Sequence, residues 1–299
     1  MEFFIKNFLL GIVKGKVVRI KMLFYQFRSI SVTRGEVIRP RTGYHLVDPR
    51  PWPIVARFGA LRLVRGLLGL IHGSVYTFEL GLTSVRLLGL TIVAWWGDVV
   101  KEGTFMGCHT SLVVRGLRIG IALFILSEVF FFVSFFWAFF HLRLGTLSEG
   151  GRWPPAGVLP INPFGVPLLN TAVLLSSGVR VTWAHYAIRE FQRIESIEAL
   201  VVTVLLGSWF TGLQLEEYLT ASFTISDGSY GSLFFVITGF HGIHVLIGTM
   251  FLLVGLVRTV IYHFSKGHNH VGLEVAIWYW HFVDVVWIFL FIFVYWWGS

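Results

Sequence analysis

"LSEVFFFVSFFWAFFH" (Leu126–His141) holds seven phenylalanines and a tryptophan in sixteen residues, with one acid, Glu128, near its start. Extended back to Arg118, the run is 24 residues with no other acid or base before its closing histidine. That length suits a helix crossing a hydrocarbon core about 30 Å thick at ~1.5 Å per residue. Such a helix hydrogen-bonds its own backbone, as a segment without access to water must. Glu128 is the anomaly. It lies ten residues past Arg118, about 15 Å along the helix and close to mid-membrane. An isolated carboxylate there is costly, so it marks a functional group or a protonated acid bonded to a neighbouring helix.

The rest of the chain fits a lipid solvent. Of 299 residues, 55% are hydrophobic and 13% charged, against about 25% charged in ordinary soluble domains. Mean hydropathy is +0.73. The alternative, a soluble helical protein with a large core, is disfavoured by several stretches of spanning length. Seven spans are predicted: 53–75, 78–96, 118–141, 167–188, 196–216, 230–258 and 272–297. The first two are weak, since Arg57, Arg62 and Arg65 interrupt one and Glu79 and Arg86 the other. The three arginines fall within about 140° of one helix face, which is expected to meet protein or headgroups.

Net charge is +8. With the N-terminus inside, inside segments carry seventeen Lys/Arg and outside loops only Arg143 and Arg152, which fixes the expected orientation. The stretch "LEEYLTASFTISDGSY" (215–230) reads as an acidic outside loop. "SEGGRWPPAGVLPINPFGVP" (148–167) reads as an outside loop full of turns. Residues 1–50 hold ten Lys/Arg among apolar residues. They are expected to form an interfacial amphipathic or partner-contacting extension, or else a tail. The domain boundary is thus placed at residue 51, with 51–299 as the seven-helix domain. No secretory signature precedes it.

Other polar groups share the depth of Glu128. Counted along their helices, His281 lies about 16 Å from the same side, and His244 and Asp284 about 21 Å. His241 and His244 are i, i+3 in "FHGIHV", as are His281 and Asp284 in the last span. A hydrogen bond from Glu128 to one of these four is expected. The histidine pair has a metal-compatible spacing, but intramembrane histidines also simply join helices, and no metal is assigned. "HFSKGHNH" (263–270) reads as a solvated inside loop. Arg180, mid-span, calls for an acid, carbonyls or a watery path. With Cys108 alone, no disulfide or multi-cysteine site can form within the chain. No phosphate loop, dinucleotide fingerprint or nucleophile elbow is present.

Six blocks carry a family resemblance: "HLVDPRPWP" (45–53), "WWGDVVKEGTFMGCHT" (95–110), "GLRIGIALFILSEVFFFVSFFWAFFH" (116–141), "WPPAGVLPINPFGVPLLNTAVLLSSGVRVTWAHY" (153–186), "FTISDGSYGSLFFVITGFHGIHVLIGT" (223–249) and "WYWHFVDVVWIFLFIFVYWWGS" (278–299). From about residue 44 onward the chain resembles the subunit III family of haem-copper oxidases, in its mitochondrial cytochrome c oxidase form. The resemblance implies an all-α polytopic membrane protein. Seven transmembrane helices would form a V-shaped two-plus-five bundle with a lipid-filled cleft. It implies a non-redox subunit with no catalytic residues and no redox centre of its own. Haem A and copper would sit in partner subunits. This chain would pack on catalytic subunit I, which reduces oxygen and pumps protons, and protect it from inactivation during turnover. The implied location is the mitochondrial inner membrane, N-terminus in the matrix and C-terminus in the intermembrane space. Glu128 matches the family's buried acid. The family's contacts to phospholipid headgroups fall on Trp96, Glu102, His109, Arg118, Arg258 and His263. Departures from the family pattern are Gly97, Cys108, Ile261, the helix-one arginines, Arg180 and the long N-terminal segment. A subunit III of a bacterial quinol oxidase is the nearest alternative. A stand-alone proton-coupled transporter, built on Glu128 and the histidines, is the alternative of a different class.

Overall fold

A computed structural model describes residues 42–145, 153–264 and 270–299. The extension assigned to residues 1–50 lies outside these up to residue 41, as do residues 148–152 of the 148–167 loop and 265–269 of the 263–270 loop. The described residues hold seven α-helices and no strand. They are α1 (Trp52–Ile71), α2 (Thr77–Thr104), α3 (Ser111–Leu144), α4 (Val166–Arg189), α5 (Arg193–Thr220), α6 (Gly228–Val260) and α7 (Val271–Leu290). A π-helical turn, Phe291–Trp296, continues α7.

Several helices outrun the expected spans. The second, expected over 78–96, ends at Thr104, and the third begins at Ser111 rather than 118. Hydropathy falls where charges begin, yet the i→i−4 ladder runs on beyond the apolar stretch. At the start of α3, Thr110 Oγ1 accepts the Val113 N–H at 3.4 Å, an N-cap. The end that bears Lys101, Arg115 and Arg118 is called the basic end below. The fifth helix likewise runs to Thr220, so Leu215–Thr220 is helix and not outside loop. Its buried stripe, Thr203, Gly207, Phe210, Gln214 and Glu217, keeps helical spacing to the end.

Among the described residues, five helices are long and apolar enough to cross a membrane: α2, α3, α5, α6 and α7 with its π turn. The two that are not are α1, with its three arginines, and α4. The fourth is expected to span over 167–188, but Asn170, Ser176, Ser177, Arg180, Thr182 and His185 dilute its hydropathy. Packing places α4 instead: nine of its residues are buried, and it lies against α5 and α7.

The last helix is the centre of the larger group, with twelve of its twenty residues buried against α3, α4 and α6. By contrast, only three of 34 are buried in α3, whose outer face is a wall of exposed phenylalanine, leucine and valine. Trp280 of α7 is the keystone. Its Nε1–H donates to Ser177 Oγ at 2.9 Å, and its ring fills space that only glycine leaves free at Gly207 and Gly248. At the basic end Arg193, which opens α5, donates to the carbonyls of Thr259 (2.9 Å) and Val260, closing the C-terminus of α6.

The first two helices pack on each other through small residues. Gly66 lies against the backbone of Gly81, Gly59 meets Leu88, and Ser84 and Thr91 are buried. They meet the other five near the basic end, where Trp96 stacks edge-on to Phe251 (5.3 Å) and Arg258 donates to Thr104 (3.3 Å). This is a two-plus-five arrangement. Arg57, Arg62 and Arg65 are exposed on the chain's own surface; Arg62 donates to Thr83 at 3.3 Å. Arg180 is exposed too, its guanidinium 5.3 Å from the ring of Trp183, with no acid paired to it among the described residues.

Candidate functional site

Glu128 reaches from α3 to α6, where its Oε2 lies 2.9 Å from His244 Nε2. The other ring nitrogen of His244 settles the proton count. Nδ1 is 2.6 Å from the carbonyl oxygen of Phe240, which can only accept, so Nδ1 carries a hydrogen. Nε2 and Glu128 Oε2 therefore share one proton. Either a carboxylic acid donates to a neutral imidazole, or an imidazolium donates to a carboxylate. Both arrangements are neutral as a unit, which resolves the cost of an acid in this segment.

The pair borders a cavity of about 390 Å³ walled by Phe131, Phe240, Phe251 and Tyr279. Phe251 is also the residue that Trp96 of α2 touches, so the cavity lies where the two-helix and five-helix groups approach. Phe132 and Tyr279 hold the His244 ring, at 5.1 and 6.2 Å between centroids.

The other three expected partners of Glu128 lie elsewhere. His241, only 1% exposed, turns to α7, where its Nε2 donates to Val283 O at 3.2 Å. His281 and Asp284 keep each other's company at 3.6 Å. Thr182 Oγ1 donates to Gly178 O and so accepts from His281 Nε2, at 3.1 Å. Asp284 occupies the place a Cβ on residue 178 would need, hence Gly178. Among the described residues no group of three or more His, Cys, Asp or Glu could hold a metal ion.

At the basic end Trp96, Glu102, His109, Arg258 and His263 gather around the α2–α6 contact. Glu102, 6% exposed, is held by Arg50, with His45 at 3.8 Å. Asp98 beside it accepts from Trp52 Nε1 at 2.8 Å. Arg258 lies over the Phe264 ring at 4.7 Å, and His263 meets Phe105 edge to face at 5.3 Å. Arg258 Nε and His263 Nδ1 are buried with no protein partner. His109 is depressed below the usual histidine range by burial, then by His45 and Arg258 nearby. Burial and Arg258 do the same to His263. Arg118 is drawn away from this group, to Glu274 of α7 at 2.8 Å.

Sequence reasoning missed Arg50 and Glu274, the partners of two residues it named. It also missed a buried cluster of Gln214, Glu217 and Tyr295. The first two needed contacts between distant segments. The third was signalled by the i, i+3 spacing of Gln214 and Glu217 on the apolar stripe of α5.

The sequence is similar to known proteins along the whole described region. The family profile described as cytochrome c oxidase subunit III matches residues 42–299. Cytochrome c oxidase subunit 3 of Squalus acanthias is 58% identical over 258 residues, covering 86% of this chain and 97% of its own. That of Branchiostoma lanceolatum is 57% identical over 265 residues, covering 86% and 100%. That of Ornithorhynchus anatinus is 54% identical over 262 residues, covering 86% and 97%. With seven helices, a membrane-spanning composition and a match along the whole described region, the chain belongs to the cytochrome c oxidase subunit III family.

Proposed function

We propose that this subunit serves the oxidase without redox chemistry of its own, by packing on the catalytic subunit and holding phospholipid between its two helix groups. Haem A and copper belong, in this reading, to the partner subunits. The single observation that carries it is the pair of unpartnered buried nitrogens, Arg258 Nε and His263 Nδ1, at the rim of the α2–α6 junction. A phosphodiester offers oxygens to accept from both and a negative charge for Arg258. Acyl chains would extend toward the apolar cavity beside Glu128 and His244. Trp96 and His109 flank the headgroup position, while Glu102, sealed by Arg50, fixes the rim and does not meet phosphate. Arg118 serves the α3–α7 seam through Glu274. Glu128 acts as half of a neutral hydrogen-bonded pair. The bias of basic residues supports a mitochondrial inner-membrane topology with this rim in the matrix leaflet. The basic N-terminal segment would add contacts to a partner or to that leaflet.

The test is native mass spectrometry of the purified oxidase with Arg258→Met and His263→Leu in this chain. At least one phospholipid per complex should be lost, with the subunit still present. Unchanged lipid occupancy in the double variant would refute the assignment.

A further inference from the structure

A further buried acid, Glu217, lies toward the opposite end of the bundle, outside the rim and outside the Glu128 pair. Gln214 and Glu217 sit one turn apart on α5, and Tyr295 enters from the π-helical turn that follows α7. They are 5%, 3% and 2% exposed. Tyr295 Oη–H donates to Glu217 Oε1 at 2.6 Å. Gln214 Nε2 donates to that same oxygen at 3.1 Å and to Tyr295 Oη at 3.2 Å. Every N–H and O–H of the three side chains is then in use. Two acceptors are left over, Gln214 Oε1 and Glu217 Oε2, both buried and without a partner.

Among the described residues neither oxygen has a hydrogen-bond donor within reach, and Glu217 has no counter-charge. Phe234 and Trp287 pack on the Tyr295 ring at 5.3 and 5.6 Å. Tyr218, the other titratable group facing Glu217 from α5, gives its O–H to Thr238 of α6 at 2.6 Å. Tyr230 of α6, next to Phe234, is the group that Arg143 of α3 faces. Among the described residues no Lys, Arg or His pairs with Glu217.

We propose that Glu217 is a proton-binding site, carrying a proton on Oε2 and donating it to Gln214 Oε1. The two side chains then form a closed carboxylic acid–carboxamide ring across one turn of α5, with Tyr295 as a third donor that ties the C-terminal turn to it. One proton satisfies both leftover acceptors and removes a charge that has no partner in an apolar setting. A trapped water would satisfy the oxygens and leave the charge. A bound alkali cation would balance the charge and require an ionised acid. Neither alternative needs lipid at the basic-end rim, and neither does the proton site.

The test is infrared difference spectroscopy of the purified oxidase against the same complex with Glu217→Gln, in H2O and D2O. The site predicts a protonated-carboxyl C=O band that is lost in E217Q and shifts down in D2O. Should E217Q not assemble, Tyr295→Phe gives a second reading. It removes one donor to Oε1, so the same band should persist and move to a higher frequency. Carboxylate stretching bands assigned to Glu217, whether or not they respond to sodium or potassium, would overturn the proposal. So would a Y295F difference spectrum with no change in the protonated-carboxyl region.

Discussion

His244 is bound at both ring nitrogens, to Phe240 O on its own helix at 2.6 Å and to Glu128 on α3 at 2.9 Å. The first bond sets the tautomer and thereby obliges the second to contain a proton. The carboxyl group is thus held in a polar bond that joins α3 to α6. The rest of the α3–α6 contact beside it is apolar, with Phe131 and Phe135 set against Phe240 at 5.0 and 5.5 Å between ring centroids.

Replacing Glu128 separates charge from geometry. An amide N–H in Glu128→Gln can donate to His244 Nε2, so the helix contact should survive. Glu128→Ala leaves a buried ring nitrogen unpaired, at a cost of about 1–3 kcal/mol. The thermal midpoint for release of this subunit from the complex in mild detergent should fall for E128A and stay near the native value for E128Q. Equal losses in both variants would mean that the ionised form of the acid is what holds the helices.

Trp280 gives a sharper steric case. A Cβ at Gly207 would stand 2.6 Å from Trp280 Cη2, and one at Gly248 would stand 2.9 Å from Cε3. The indole cannot retreat from both without losing its bond to Ser177. Gly207→Ala should therefore destabilise the five-helix group by about 1–3 kcal/mol, seen as reduced yield of assembled complex. Gly97→Ala, with open space around it, is the control and should assemble normally.

How far the sequence reached can be traced through these residues. Depth counting put Glu128, His244, His281 and Asp284 near one level, because rise per residue is fixed once a helix is assumed. Which of them meets Glu128 was not readable. His241 and His244, three residues apart, point about 60° apart around α6, and a sequence does not say which direction faces α3. Helix ends were misplaced for a related reason. Charge at Asp98, Lys101, Arg115 and Glu217 ends a hydropathy run without ending a hydrogen-bond ladder. Hydropathy therefore puts Glu217 in a loop, whereas it is buried helix. The partners Arg50 and Glu274 lie 52 and 156 residues from the residues they bind, beyond any local pattern.

The Arg118–Glu274 bond is geometrically good, with Nε and Nη2 at 3.2 and 2.8 Å from one oxygen. It is nevertheless near solvent or headgroups, the Arg118 side chain being 43% exposed. Glu274→Gln should cost at most about 1 kcal/mol. The release midpoint of that variant should lie close to the native one at moderate salt. A large fall would show that the seam is shielded by another subunit in the complex.

Acid should weaken the basic-end rim. His109 and His263 both lie outside the spanning segments and are both lowered, by burial first and by Arg258 in addition. A lowered histidine binds fewer protons folded than unfolded, so stability rises with pH through this window. The contribution is fully present above the ordinary histidine value of about 6.5 and is lost as pH falls through the lowered values. Protonation would place new positive charge beside Arg258 and, for His109, beside His45. The midpoint for loss of this subunit from delipidated complex should therefore drop as pH is taken from 7.5 toward 5, on the order of the range these groups titrate. The double variant His109→Asn, His263→Asn should flatten that dependence without changing the midpoint at high pH. Anionic lipid should flatten it in the native chain as well, since a phosphate at Arg258 offsets the charge that protonation adds. An unchanged slope in the double variant would assign the acid sensitivity to groups outside this rim.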